Sequence, residues 1–293
     1  MIQIKRLSEC TLEEGVKAWN VGFEGYYFDA TTSVENFVNR LVSEGLSPTL
    51  SLVAFKDSQP IGIVKNGVRT FNDVKLGWNG GTGVATDYRK QGIGKMLMEA
   101  TLSILKEEGV TLASLEAIAD NQKAIALYEN MGYEVVDQLE HLELKGALSK
   151  APFEESFENY SIEKVLPQQI GSLALYKGLN PWQTQWQSAK DSEAVVVKDK
   201  DGEVVGYAYY RKSIDSTGKH VGTVLFQCEA SQEHPDSLTI THFLLNHVFG
   251  SFTDDIRRVI PNLPLKRSQL THNVLTKIGF TPIAKQVYML KNL

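Results

Sequence analysis

The stretch that most constrains this chain runs from Val84 to Gly132. Its first part contains Arg89-Lys90-Gln91-Gly92-Ile93-Gly94-Lys95. Beyond it, Ile93, Met96, Leu97, Ala100, Ile104 and Leu105 recur at helical spacing. A helix with one apolar face is therefore expected to begin at the glycines, and Gly109 is placed to close it. The start has no ordinary capping side chain. Two glycines two positions apart instead let backbone N–H groups approach a ligand with no Cβ in the way. The first N–H groups of a helix lack internal partners and carry the positive end of its dipole. Such a start holds phosphate, and Arg89, Lys90 and Lys95 add cationic charge around it. Taken singly, the glycine pair also fits a tight strand-to-helix turn carrying solvated lysines.

A second segment stands at a telling distance. Thr111 to Ile118 reads as a strand in which Leu115 and Ala117 point one way and Glu116 the other. Asn121 then caps a short helix that runs through Ala124 and Tyr128 and ends at Gly132-Tyr133.

With both segments in view, the first half of the chain resembles the GNAT acetyltransferase superfamily. Arg89, Gly92 and Gly94 match that family's acyl-CoA signature, Gln/Arg-x-x-Gly-x-Gly/Ala, in order. Asn121, Tyr128, Gly132 and Tyr133 match its following helix. The resemblance implies an acetyl-CoA cosubstrate and no metal. It would be held by the turn Arg89, Lys90, Gln91, Gly92, Ile93, Gly94 and Lys95, with Asn121 and Ala124 on the short helix. The strand before the turn holds Gly77, Gly80, Gly81 and Gly83. Glycine inside a strand suggests a bulge or a close approach. In the family this strand bulges and splays from its neighbour, and its backbone pairs with the pantetheine arm and the acetyl oxygen. That role carries over to Val84 and Ala85.

Two side chains are candidates for the chemistry. The resemblance makes Tyr128 the donor to the departing sulfur. A phenol near pKa ~10 transferring its proton to a thiol near ~8.5 works uphill by roughly 2 kcal/mol unless the site lowers it, so a hydrogen bond is expected before complete transfer. The plain alternative for Tyr128 is core packing. Glu116 occupies the place of a proposed base in some family members; a paired strand carboxylate is the alternative. An attacking amine near pKa ~10.4 is mostly charged at neutral pH, so a base, a water relay or desolvation must remove its proton.

The flanking sequence fills in an α/β (α+β) expectation. Residues Thr11 to about Glu44 read as two helices joined by Gly22 to Thr32. That joint is rich in aromatics, which as a rule pack a core. Its Glu24 and Asp29 are candidates for touching a cationic acceptor. Ser51–Phe55 and Pro60–Val64 read as strands. Glu134 to Leu144 reads as a strand completing a first domain.

The second half reads as a faded copy. Gly279-Phe280 before a strand repeats Gly132-Tyr133 at an offset of 147 (279 − 132). Strands are expected at Glu193–Val197, Glu203–Tyr210 and Val221–Glu229, and a helix at Leu238–Phe249; Arg257–Ile260 and the segment Ser268–Ile278 complete the parallel. The offset sets Asp236, Thr239 and Thr241 against Arg89, Gly92 and Gly94, so the phosphate turn is not repeated. Asp236 or Ser237 reads as an ordinary cap. The expectation is two tandem GNAT-like domains, each a mixed, mostly antiparallel twisted sheet flanked by helices. They would be an acetyl-CoA-binding domain at 1–146, a linker at 147–159 and a degenerate domain at 160–293.

The 293 residues carry a net charge of −5, which argues against a general nucleic-acid surface. No apolar run approaches the ~18 residues of a membrane span. Cys10 and Cys228 stand in no ligand motif, which suits free thiols in a reducing cytoplasm. The resulting functional expectation is N-acetyl transfer from acetyl-CoA to a small-molecule or peptide amine by direct attack in a ternary complex. A non-enzymatic acyl-CoA sensor on the same fold is the competing class. The acceptor, the acyl preference and the oligomeric state are not encoded in any motif.

Overall fold

Strands β3 (Gln59–Phe71) and β4 (Val74–Val84) form a long hairpin around the turn Asn72-Asp73. β3 extends well past the expected end at Val64, since Asn66, Gly67 and Val68 still pair with Asn79, Trp78 and Gly77. Their register shifts between Val64/Thr82 and Asn66/Asn79, which leaves an extra residue on β4 at the two glycines, Gly80 and Gly81. Gly81 has φ +138°, a conformation that side chains rarely adopt. The expected bulge is therefore present, built from the glycines that suggested it.

This hairpin lies in the first of two units of the computed structural model, which describes residues 1–153 and 156–293. The first unit is Met1–Val136 with Val287–Leu293, and the second is Asp137–Gln286. The first sheet also contains β1 (Ile2–Arg6), β2 (Leu52–Lys56), β5 (Leu112–Ile118) and the end of β12 (Thr281–Asn292), in the order β1-β2-β3-β4-β5-β12. β1 to β4 are antiparallel neighbours, and β5 runs parallel to β4. The β4–β5 register runs from Leu76/Leu112 to Asn79/Leu115 and goes no further. The two strands thus part where β4 bulges.

Helix α3 (Ile93–Glu107) packs on one face of this sheet with Ile93, Leu97, Met98, Leu102 and Leu105 buried. Burying each such side chain is worth roughly 1.5–3 kcal/mol. Helix α4 (Gln122–Asn130) adds Ile125 and Tyr128 to the same core. On the other face lie α1 (Leu12–Gly22) and α2 (Val34–Glu44), which bury Trp19 and Phe37. Thr11 and Ser33 cap these two helices through their hydroxyls.

One expectation about this sheet fails. Strand β6 (Glu134–Lys145) forms as read, yet it does not complete the first sheet. From Leu139 to Lys145 it pairs antiparallel with β11 (Arg257–Pro264) of the second unit. Val287–Leu293 fills out the first unit instead, with Met289 buried in the core of α3 and α4. Alternation identifies a strand but not its partner, so either segment satisfies the pattern. The division at Val136 consequently falls before the expected boundary at 146; part of the expected linker, 154–155, lies outside the described residues.

The second unit contains β7 (Ser161–Val165), β8 (Glu193–Lys198), β9 (Val204–Ile214) and β10 (His220–Ala230), in the order β6-β11-β10-β9-β8-β7. Here too the pairs are antiparallel except β10–β11, which is parallel. Helices α6 (Ser237–Phe249) and α7 (Gln269–Ile278) follow β10 and β11, just as α3 and α4 follow β4 and β5. In place of an α1–α2 pair stand only α5 (Pro167–Ile170) and short 3-10 turns at Trp182–Thr184 and Trp186–Ser188.

Candidate active site

The parting of β4 and β5 opens the sheet beside the start of α3. A cleft of ≈ 490 Å³ lies there, lined by residues of β4, the turn before α3, and one face of α4. Lys90 and Gly92 take left-handed backbone conformations, at φ 62° and 82°. They turn the chain so that α3 begins with no capping side chain. Met96 N–H donates to the Gly92 carbonyl at 3.0 Å as the helical ladder of α3 begins. The amides of Ile93, Gly94 and Lys95 therefore precede the helical ladder and carry its positive end. A Cβ at Gly92 would meet nothing within 4 Å, whereas one at Gly94 would approach Leu127 of α4 to 3.3 Å. Gly94 thus keeps the gap between α3 and α4 open. Lys90, Lys95 and Lys123 supply the positive lining.

Tyr128 closes the inner end of the cleft, buried to 7% exposure. Burial is the main cause that pushes its phenol up to about 12, with the Thr82 hydroxyl bond acting the other way. Tyr128 is therefore a protonated donor at neutral pH. The site raises its pKa rather than lowering it, so transfer of its proton to a thiol of ~8.5 is uphill by about 5 kcal/mol.

The other expected residues divide into those in the cleft and those that shape it. Val84, Arg89, Lys90, Gly92, Gly94, Lys95, Ala124 and Tyr128 all line it. Arg89 spends Nε on the Val84 carbonyl at 2.8 Å and Nη2 on those of Glu24 and Gly22, at 3.0 and 3.3 Å. It pins the end of α1 to the end of β4. Gln91 turns back to the Asp87 carbonyl at 2.9 Å, and Ile93 is buried among the α3 core residues. Asn121 caps α4 by accepting from Ala124 N–H at 3.2 Å. The amide of Ala85 donates to the Ile61 carbonyl at 2.8 Å and is spoken for. Strand alternation turns the Val84 amide the other way, toward the gap.

Glu116 follows Leu115, the last residue of β5 paired with β4. Its neighbours Leu115 and Ala117 pack with α3 and α4, so its carboxylate faces the α1–α2 side. There it accepts from the Trp78 indole N–H at 2.7 Å.

Thr82, Tyr88, Lys123 and Leu127 line the cleft without having been expected. Lys123 and Leu127 were recoverable, since spacing of four aligns them on the face that also carries Ala124 and Tyr128. Lys65 on β3 was also missed. It is 1% exposed, with Nζ 3.6 Å from the Trp19 ring centroid and 4.9 Å from that of Phe37.

In the second unit the corresponding places are filled. The β10–β11 register ends at Val224/Val259. Beyond it, Gln227 accepts from Tyr207 O–H at 2.8 Å and donates to the Thr184 carbonyl at 3.0 Å. Glu229 accepts from Ser268 and meets Lys177 at 2.8 Å, although burial raises its carboxyl above the ordinary range. Asp236, one of the two expected cap residues, stands at the N-cap position of α6, but its side chain makes no capping bond; its carboxylate accepts from Tyr160 O–H at 2.7 Å. The groove between α6 and α7 is lined partly by the chain's own segment at Leu148 and Phe153. Phe153 stacks on His242 with ring centroids 4.4 Å apart.

Comparison with known proteins agrees with this geometry. Residues 13–133 match the family described as the acetyltransferase (GNAT) family. Ribosomal protein bS18-alanine N-acetyltransferase of Escherichia coli K12 is 44% identical over 50 residues, 17% of this chain and 34% of that protein. N-alpha-acetyltransferase 30 of Dictyostelium discoideum is 32% identical over 92 residues, 31% of this chain and 50% of that protein. The chain thus spans only between 34% and 50% of these two curated relatives. Among solved structures, a tandem GNAT protein from the clavulanic acid biosynthesis pathway superposes over 100% of this chain and 98% of its own. Its TM-score is 0.62 and its identity 13%. A GCN5-related N-acetyltransferase from Sphaerobacter thermophilus gives a TM-score of 0.63 at 15% identity, over 100% and 95%. At such identities the likeness is one of fold, and it extends over both units.

Proposed function

Because residues 13–133 match the acetyltransferase (GNAT) family, we propose that the chain transfers an acetyl group from acetyl-CoA to an amine. One observation carries this reading. A single cleft joins a cationic helix start at one end to a buried, protonated Tyr128 at the other.

The residues present fit such a donor. Its phosphates would rest on the amides of Gly92–Lys95 with Lys90, Lys95 and Lys123, and its arm would run along the unpaired edge of β4 at Val84. Acetyl-CoA supplies the activated thioester. Every further contribution belongs to the chain. The Val84 amide, aimed into the gap, donates to the acetyl oxygen as negative charge develops there. Tyr128 donates a hydrogen bond to the sulfur as charge gathers on it, and its raised pKa keeps that proton in place. Glu116, held by Trp78, takes the first proton of the incoming ammonium, directly or through a water; the second, lost from nitrogen as the amide forms, passes to water, and the sulfur departs as a thiolate on the hydrogen bond from Tyr128. Attack then comes from the α1–α2 face while the donor lies on the α3–α4 face, which suits direct transfer. The names of the two curated relatives make a peptide or protein α-amine the first acceptor class to screen.

Acetyl-CoA binding by calorimetry tests the reading. The wild-type chain is expected to bind at one site. Gly92→Asp adds a negative charge where Cβ has open space, and Asp tolerates the left-handed conformation that Gly92 holds. It is expected to abolish binding, whereas Gly92→Asn retains it in part. Absence of wild-type binding overturns the reading. Binding without turnover of any amine replaces it with an acyl-CoA sensor, and two sites per chain would give the second unit a role denied to it above.

A further inference from the structure

The groove between α6 and α7 of the second unit encloses ≈ 810 Å³, against ≈ 490 Å³ for the cleft of the first. It stands on the same pair of helices. At the offset of 147, His242, Leu270 and Val274 of its lining take the places of Lys95, Lys123 and Leu127 in the cleft. Where the cleft has two lysines, the groove therefore has a histidine and a leucine, and Phe153 covers the histidine ring. No glycine turn opens α6, and Asp236 puts an acid at its start. The groove thus keeps the space between the helices but has no seat for phosphates.

Its walls are apolar. Leu270, Val274 and Ile278 recur every four residues along α7, a stripe about 12 Å long at 1.5 Å per residue. Leu238, in the first turn of α6, adds a side chain that is 49% exposed. Leu148 and Phe153 form a third wall. With Leu270 and Ile278 they rest on the buried core of the second unit, which fixes the shape of the groove. The charge in the lining has one sign. Lys150 and Lys277 take part, and among the described residues no aspartate or glutamate does. In a chain of net charge −5, two lysines without an acid depart from the average surface. Lys277 lies in the last turn of α7, beside Ile278 at one end of the apolar stripe.

These features select an occupant. A peptide laid along the stripe would bring backbone N–H and C=O groups that leucine, valine and isoleucine cannot satisfy. An alkyl chain brings none, and each methylene that leaves water for such walls is favoured. We infer that the groove binds a fatty acid, with its chain along Leu270, Val274 and Ile278 and its carboxylate on Lys277, while Lys150 adds positive charge to the lining. The ligand is the free acid rather than its CoA thioester, because the start of α6 offers phosphates an acid in place of a glycine turn. The inference is independent of the chemistry proposed for the first unit.

The test is calorimetry on the full chain with monomeric dodecanoate. One site is expected. Dodecyltrimethylammonium, the same chain under a cationic head, is expected to bind at least about ten-fold more weakly. Lys277→Glu reverses the head contact at an exposed position, and Leu270→Trp puts a larger ring into the groove. Each is expected to raise the Kd at least about ten-fold, whereas Lys277→Arg keeps it near the wild-type value. Lys200→Glu, in an exposed turn of the second unit, makes the same change of charge and leaves the Kd alone. Thermal unfolding checks that each variant folds; should Leu270→Trp fail to, Lys277→Glu decides. Saturating acetyl-CoA is expected to leave dodecanoate bound. Absence of dodecanoate binding, equal binding of the cationic amphiphile, or a Kd that Lys277→Glu or a folded Leu270→Trp leaves unmoved overturns the inference. Displacement by acetyl-CoA also overturns it, by placing the chain in the cleft of the first unit. Partition onto phosphatidylglycerol vesicles without binding of the monomeric acid overturns it in favour of a membrane contact. Failure to bind acetyl-CoA counts against the first unit's cleft only, and the Lys277 and Leu270 variants then decide this inference by themselves.

Discussion

Replacing Lys65 by methionine is expected to stabilise the first unit, and by an amount that depends on pH. Lys65 lies on β3 between the Trp19 and Phe37 rings and is almost wholly buried. Desolvation, followed by the charge of Arg40, pushes its ammonium from 10.5 down to about 6, while Glu44 opposes the shift. The folded chain therefore binds this proton more weakly than the unfolded chain does. The cost is absent above the unfolded value of ~10.4, grows as pH falls, and is complete below about 6. At pH 7 it amounts to roughly 5 kcal/mol, a ceiling set by 3.4 units at about 1.4 kcal/mol each. Methionine matches the length of the stem, leaves no cavity and places a thioether against the indole. Urea unfolding of wild type and Lys65→Met at pH 6.5, 7.5 and 8.5 gives the difference directly. It should favour the variant and shrink by about 1.4 kcal/mol per pH unit as pH rises. A difference that is constant with pH would refute the reasoning. It would mean that the folded chain holds Lys65 charged, with the rings and Glu44 offsetting its burial.

Three further outcomes are expected. Tyr128→Phe removes the sulfur's donor but keeps the ring that packs with Tyr133; kcat should fall about 10- to 100-fold with acetyl-CoA affinity and Tm little changed. An unaltered kcat would remove Tyr128 from the chemistry. Gly94→Val drives two methyls into the gap before Leu127 and should raise the Kd for acetyl-CoA at least about ten-fold, while Gly94→Ala, 3.3 Å from a flexible side chain, should stay within about ten-fold of wild type. Equal affinities would show that the gap is not the donor's path. Glu229→Ala leaves Lys177 without its buried partner and should destabilise the second unit by about 3–5 kcal/mol, read by thermal unfolding, without altering acetyl-CoA affinity at the first.

Much of the cleft was legible because its parts are local. Gly92 and Gly94, the α3 stripe, the Asn121 cap and Tyr128 lie within 40 residues of one another and obey short-range rules. The chemistry of individual donors was less legible. Val84 and Ala85 are equivalent in sequence, yet one amide faces the gap and the other is taken by Ile61. Arg89 looked like a phosphate ligand by charge, but backbone carbonyls of Gly22, Glu24 and Val84 occupy two of its nitrogens. The glycines of β4 predicted a bulge correctly because only a left-handed or crowded backbone needs so many.

By itself, then, the sequence determined the elements: two successions of strands and helices, the first with a phosphate turn and the second without one. Periodicity, caps and glycines act over a few residues, and such signals survive without a fold. The tertiary structure decided the partners. It gave β6 to the second unit and Val287–Leu293 to the first, although both segments alternate alike. It placed a lysine between two aromatic rings, filled the second parting of strands with Lys177 and Thr184, and gathered Glu24, Asp29 and three aromatic rings around one cavity. Such pairings depend on which surfaces meet across tens of residues, and the same side chains satisfy many of them until packing and desolvation select one.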